Sequence, residues 1–95
     1  MAPMNQTSLR RRDEVIAQRV GDTAVLVDLS SNRIYELNTT GARVWELLDT
    51  ARSVDALVGA LVNEFETEPH VVKHEVVQIV GEFAKEGLIE HVAQY

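Results

Sequence analysis

The chain contains no cysteine. That absence removes disulfides, thiolate metal sites and a cysteine nucleophile together, and it leaves the redox character of the compartment unconstrained. Glycine is scarce and scattered, since Gly21, Gly41, Gly59, Gly81 and Gly87 each stand alone, so no glycine-rich loop is available to cradle a phosphate. Positive charge is short as well: 9 Lys and Arg face 15 Asp and Glu, for a net charge of −6. A surface of that sign opposes a nucleic-acid backbone, whose binding rests on Lys and Arg displacing counterions, and no nucleic-acid partner is expected. Only Arg10-Arg11-Arg12 runs the other way, and three adjacent arginines are by default a solvated patch. No apolar run approaches the roughly 18 residues of a membrane span, and no apolar segment follows the N-terminal basic residues as in a signal peptide. A cytoplasmic protein with no membrane partner is the expectation.

What remains is ordinary globular material. With 45% apolar and 25% charged residues in 95 positions, the chain has enough hydrocarbon for one core and no room for a second domain. Its pivot is Ile34-Tyr-Glu-Leu-Asn-Thr-Thr-Gly-Ala-Arg-Val-Trp45, where an alternation of period two gives way to a period near 3.6. Ile34 to Leu37 suits a short strand, while Val44, Trp45, Leu47 and Leu48 share one helix face. Asn38 or Thr39 can cap the helix between them.

Before the pivot the pattern is β. Residues 1–12 are expected to be a flexible N-terminal segment, because Met1 to Ser8 mix polar residues and proline without periodicity. The domain proper spans 13–95. Val15 to Val20, a Gly21-Asp22 turn and Ala24 to Val27 read as a hairpin. Asp28 to Arg33 reads as a second turn in which Asn32 tolerates a left-handed backbone. Arg33 to Leu37 then completes a three-stranded antiparallel meander, which is stable only with one face covered.

After the pivot the pattern is helical. A first helix over about Thr39–Asp49 carries Trp45. A second is capped by Ser53 and presents Leu57, Leu61 and Phe65 inward. A third starts at Pro69 and stops at Gly87, with Val72, Val76, Ile79, Val80 and Phe83 as its main stripe. Val77 and Ala84 widen that arc beyond what one core contact needs, so the helix is either clamped between two elements or offers one edge to a partner. Leu88 to Val92 returns to a strand-like alternation or packs as a tail. The expected class is α+β, a three-stranded antiparallel sheet followed by a three-helix bundle.

No residue pattern points to catalysis. His70 and His74 stand four apart, but the glutamate of a zinc-protease helix would occupy position 71, which is valine. Ser30 and Ser31 lie in a turn without the strained glycine elbow of a nucleophile. A binding module without cofactor or metal is the class that survives. The third strand has one free edge, and its unpaired amides and carbonyls can template an extended peptide, although Arg33 and Glu36 also suit the charged guards that natural edges carry.

The run Tyr35-Glu-Leu-Asn38, followed by Thr40-Gly41 and Val44-Trp45, resembles the pattern of PqqD-like proteins, also called recognition elements for ribosomally made, modified peptides. The match continues through Leu47-Leu48, Ser53-Val54, Leu57, Leu61, Phe65, Glu75-Val76 and Gly87-Leu88-Ile89, covering about Val15 to Val92. The resemblance implies a winged helix-turn-helix-like fold and a non-catalytic adaptor that binds the leader of a precursor peptide. In that family the leader adds as a strand beside the third strand, in a cleft walled by the third helix. Carried onto this sequence, the edge is Arg33, Ile34, Tyr35, Glu36 and Leu37, and the wall is drawn from Val72, Glu75, Val76, Ile79, Val80 and Phe83. Asp49-Thr50 replaces the Asp-Gly that members serving pyrroloquinoline quinone synthesis tend to carry. The Tyr-x-Leu-Asn start and Arg52-Ser53-Val54 look closer to stand-alone members of lasso-peptide clusters. The implied partners are then a precursor leader and a leader peptidase or other modifying enzyme. The alternatives are a peptide chaperone for a radical SAM enzyme and a winged-helix nucleic-acid-binding regulator.

Overall fold

The computed structural model describes residues 6–94. The elements in chain order are β1 (Gln6–Arg11), β2 (Val15–Val20), β3 (Thr23–Asp28), β4 (Arg33–Leu37), α1 (Thr39–Leu47), α2 (Val54–Phe65), α3 (Pro69–Lys85) and β5 (Ile89–Gln94). They make an antiparallel three-stranded sheet in the order β2-β3-β4 and a separate antiparallel ribbon of β1 with β5. The class is α+β, as expected.

The turns form where backbone freedom allows them. Gly21 takes φ +61° in the two-residue β2–β3 turn, and Asn32 takes φ 60° before β4, positions that glycine and asparagine occupy at low cost. Asn38 ends β4 and caps α1, its side-chain oxygen accepting from the Gly41 amide at 2.8 Å. Ser53 caps α2 through the Ala56 amide at 3.0 Å. Pro69 opens α3, and Gly87 follows it at φ +74°.

The core sits between the inner face of the sheet and the helices. Leu26 from β3, Val44 and Trp45 from α1, Leu57 and Leu61 from α2, and Val72, Val76, Val80 and Phe83 from α3 are all buried in one cluster. Trp45 and Phe83 meet edge to face with centroids 5.5 Å apart, the arrangement that aromatic quadrupoles favour. The outer face of the sheet stays in solvent, with Ile16 and Ile34 more than half exposed.

The N-terminal segment departs from expectation. Fraying of Met1 to Asn5 lies outside the described residues, but Gln6–Arg11 form β1, in register with β5 from Gln6↔Gln94 to Arg11↔Ile89. Leu9 is buried in the core, 4% exposed, and its amide donates to the Arg52 carbonyl at 2.8 Å. Arg12 then locks the ribbon to the rest: its guanidinium donates to the Gly87 carbonyl at 2.7 Å and pairs with Asp28, whose side chain is 3% exposed, at 3.5 Å. The physical reason is non-local pairing. β1 is stable because β5, some eighty residues later, covers its backbone groups and Ile89 packs beside Leu9.

Candidate functional site

Two edges of the three-stranded sheet carry no further strand among the described residues, β2 on one side and β4 on the other. Which groups they expose follows from the register. The Gly21-Asp22 turn makes Val20 and Thr23 the closing pair, and such pairs exchange both hydrogen bonds, after which bonded and non-bonded pairs alternate. The Leu29 amide donating to the Glu14 carbonyl at 2.9 Å continues the same phase. Val25 and Val27 therefore spend their backbone groups on β2, and Ala24, Leu26 and Asp28 spend theirs on Leu37, Tyr35 and Arg33 of β4. By alternation, Ile34 and Glu36 turn both N–H and C=O outward from the sheet.

The helix facing this edge is α3. Glu86, just past its last turn, accepts from the Tyr35 hydroxyl at 3.3 Å and pairs with Arg33 at 3.7 Å. At 3.6 residues per turn, Glu82, Ile79, Glu75 and Val72 fall on the same face as Glu86. The wall opposite β4 is thus acidic at three positions, half-buried apolar at Ile79, and apolar at its far end. Glu75 and Glu82 take part in no ion pair among the described residues.

A cavity of about 240 Å³ lies between the start of α1, just past Leu37, the end of α2 and the start of α3. Thr39 and Thr40 form one side, Phe65 and Val71 the rim, and Val72 and Val76 the floor. Phe65 and Val71 are 49% and 44% exposed, large apolar groups left in water around a concave apolar site. A concave apolar site with an exposed apolar rim is the kind of surface to which ligands and partners dock.

The expected site residues separate accordingly. Arg33, Ile34, Tyr35, Glu36 and Leu37 form the open strand. Val72, Glu75 and Val76 line the cavity, with Val76 fully buried behind it. Val80 and Phe83 are 6% and 4% exposed and pack into the core, so they support the wall from behind and do not line it. The helical stripe is spent on the core, and its flank stays at the surface, with Glu75 exposed and Ile79 half-buried. Thr39, Thr40 and Val71 were not anticipated, and Phe65, expected inward with Leu57 and Leu61, is instead 49% exposed at the rim, because it sits at the last turn of α2 where the chain leaves the core. His70 and His74 are exposed, and among the described residues no group of three or more His, Asp or Glu side chains is arranged to hold a metal. No described helix is long and apolar enough to cross a membrane.

The fold and the site define a small α+β domain with an unclosed sheet edge, tied at Arg33 and Tyr35 to the end of α3, and an apolar cavity at the start of that helix. The chain belongs to the PqqD family, that of coenzyme PQQ synthesis protein D, which matches residues 23–89. Two solved structures share its fold. One is TbiB1 in complex with the TbiA(beta) leader peptide, at 24% identity and TM-score 0.79, covering 90% of this chain and 99% of that one. The other is a lasso peptide synthetase B1 complexed with the leader peptide, at 23% identity and TM-score 0.74, covering 86% and 96%. No curated protein sequence matches the chain.

Proposed function

We propose that this protein is a non-catalytic adaptor that captures the leader of a ribosomally made precursor peptide by strand addition to β4. It presents that peptide to a processing enzyme, a leader peptidase of lasso-peptide biosynthesis. The observation that carries this reading is the outward row of backbone groups at Ile34 and Glu36, unpaired by any described strand and bordered by α3. Family membership and the two leader-bound structural relatives support it. An antiparallel guest would run with its N-terminal side opposite Leu37, which brings an apolar side chain to the cavity rimmed by Phe65 and Val71. Its later residues pass Ile79 and then the carboxylates Glu82 and Glu86. Backbone pairing supplies affinity and the cavity supplies choice of sequence. Holding the precursor beside its enzyme raises the local concentration, toward the millimolar range for short tethers, without chemistry in the adaptor.

The winged-helix regulator is disfavoured by the charge of α3, where Lys73 and Lys85 stand against Glu75, Glu82 and the adjoining Glu86. The test is a titration of labelled leader into the wild-type protein, Ile34→Pro and Glu36→Pro. Each proline removes one outward donor and no bond of the β3–β4 ladder. Losing one such bond and stranding its acceptor costs about 1–3 kcal/mol, an affinity loss of roughly 5- to 140-fold. Unchanged affinity in variants whose circular dichroism matches wild type rejects strand addition at β4.

A further inference from the structure

The second open edge has a groove of its own. Along β2 the alternation leaves Val15, Ala17 and Arg19 facing away from β3, and the Val15 amide is spent on the Arg12 carbonyl at 3.1 Å. Ala17 and Arg19 keep both N–H and C=O outward. Beside them lies a cavity of about 400 Å³, distinct from the cavity at Phe65 and Val71 and bounded by Val15 and Ala17, the end of β1, Trp45 of α1 and Arg52. The Arg19–Glu46 ion pair, 2.6 Å, bridges β2 to α1 toward the hairpin end.

The charge of this groove is opposite to that of the molecule. Arg10, Arg11, Arg12 and Arg52 line it against two carboxylates, Asp13 and Asp49, in a chain of net charge −6. Arg12 is committed to Glu14 at 2.6 Å, to the Gly87 carbonyl and to Asp28. Arg10 is held by the exposed Asp13 at 3.1 Å and by the half-exposed Glu90 at 3.6 Å, and Arg11 by Asp49, 71% exposed, at 2.8 Å and by the Trp45 carbonyl at 3.3 Å. Solvent-exposed pairs of that kind contribute about 0–1 kcal/mol and exchange readily for another carboxylate. Arg11 also lies 5.7 Å from the centroid of the Trp45 ring, which holds its planar fork in place. Arg52 takes part in no side-chain hydrogen bond or ion pair among the described residues.

We propose that the β2 edge and its arginine groove form a second docking site, which takes an extended acidic segment of a partner protein, pairing its backbone with Ala17 and Arg19 and its carboxylates with Arg10, Arg11 and Arg52. Two independent features select the same occupant. The free backbone groups require an extended chain, and the guanidinium cluster requires anionic side chains, ideally at alternate positions that share one face of a strand. The site is independent of β4, so a guest at each edge can be held at once, with α1 and the sheet between them.

The test uses the full chain and a labelled (Glu-Val)5 peptide, with (Gln-Val)5 and (Lys-Val)5 as controls, followed by fluorescence anisotropy and Trp45 emission. The acidic peptide is expected to bind, to weaken steeply with salt, and to lose at least tenfold in affinity on Arg10→Glu/Arg52→Glu. Amide exchange at Ala17 and Arg19 is expected to slow on binding while Ile34 and Glu36 are unaffected. No binding of the acidic peptide, or equal binding of (Gln-Val)5, overturns the proposal. Charge-dependent binding with unchanged exchange at Ala17 and Arg19 overturns strand addition here. Self-association of the chain that the double variant abolishes would show that the occupant is a second copy, which overturns the assignment to a partner protein. Leader binding in the double variant, measured separately, reads the β4 site alone.

Discussion

Replacing Leu9 by alanine tests whether the N-terminal strand is part of the folded unit. The side chain is 4% exposed and joins the central cluster through the β1–β5 ribbon, close to Leu88 and Ile89. Truncation removes three buried carbons and leaves a void that the ribbon, tied down by Arg12 and by the Leu9 amide bond to Arg52, is poorly placed to fill. Buried leucine-to-alanine changes cost about 2–5 kcal/mol, against roughly 5–15 kcal/mol for a whole domain. At about 4–8 °C per kcal/mol for a domain of this size, a cost of ~3 kcal/mol lowers Tm by about 12–24 °C. The assay is thermal and urea unfolding followed by circular dichroism, with the half-exposed Arg10→Ala as the neighbouring control. A fall in Tm below about 4 °C for Leu9→Ala would refute the reasoning, because it would mean that β1 is not held in the core.

Other expectations follow from single contacts. Asp28 accepts from the Ser30 hydroxyl at 2.7 Å and the Ser30 amide at 2.9 Å; the Ser30 hydroxyl foremost, with the Ser30 amide and Arg12, holds its carboxyl below the ordinary 3.8 against the opposing effect of burial. A depressed carboxylate stabilises the fold above its unfolded pKa and loses that contribution as pH falls through the folded value. Urea midpoints should therefore drop below about pH 4, and Asp28→Asn should flatten that part of the profile. Asn38→Ala removes the α1 cap at the β4 junction and should cost about 1 kcal/mol, read by urea denaturation. Phe65→Ala, at a rim position 49% exposed, should change Tm little while weakening leader binding by about fivefold, roughly 1 kcal/mol by calorimetry.

The parts of the fold legible in the sequence were those with local signals. β4 showed its period of two between a left-handed Asn32 and the Asn38 cap, and the helices were bracketed by Ser53, Pro69 and Gly87. β1 was opaque because Gln6–Arg11 is mostly polar and its stability comes from a partner at the other end of the chain. At the site, the outward phase of Ile34 and Glu36 was implicit in the turn lengths. The two sides of α3 were harder to tell apart. Val72, Val76, Val80 and Phe83 make the most apolar stripe, so sequence favours them everywhere, yet packing on Leu57, Leu61 and Trp45 consumes that stripe and leaves the Glu75–Ile79 flank at the surface. The cavity at Phe65 and Val71 needs three elements to converge, which periodicity within one segment does not report.

The most direct measurement of the central claim is residue-resolved amide hydrogen exchange with and without saturating leader peptide. Strand addition at β4 predicts that Ile34 and Glu36 slow markedly, while Tyr35, already bonded to β3, and Ala17 and Arg19 on the opposite edge do not change. Exchange at Ile34 and Glu36 that is equally fast in the presence of bound leader would contradict it.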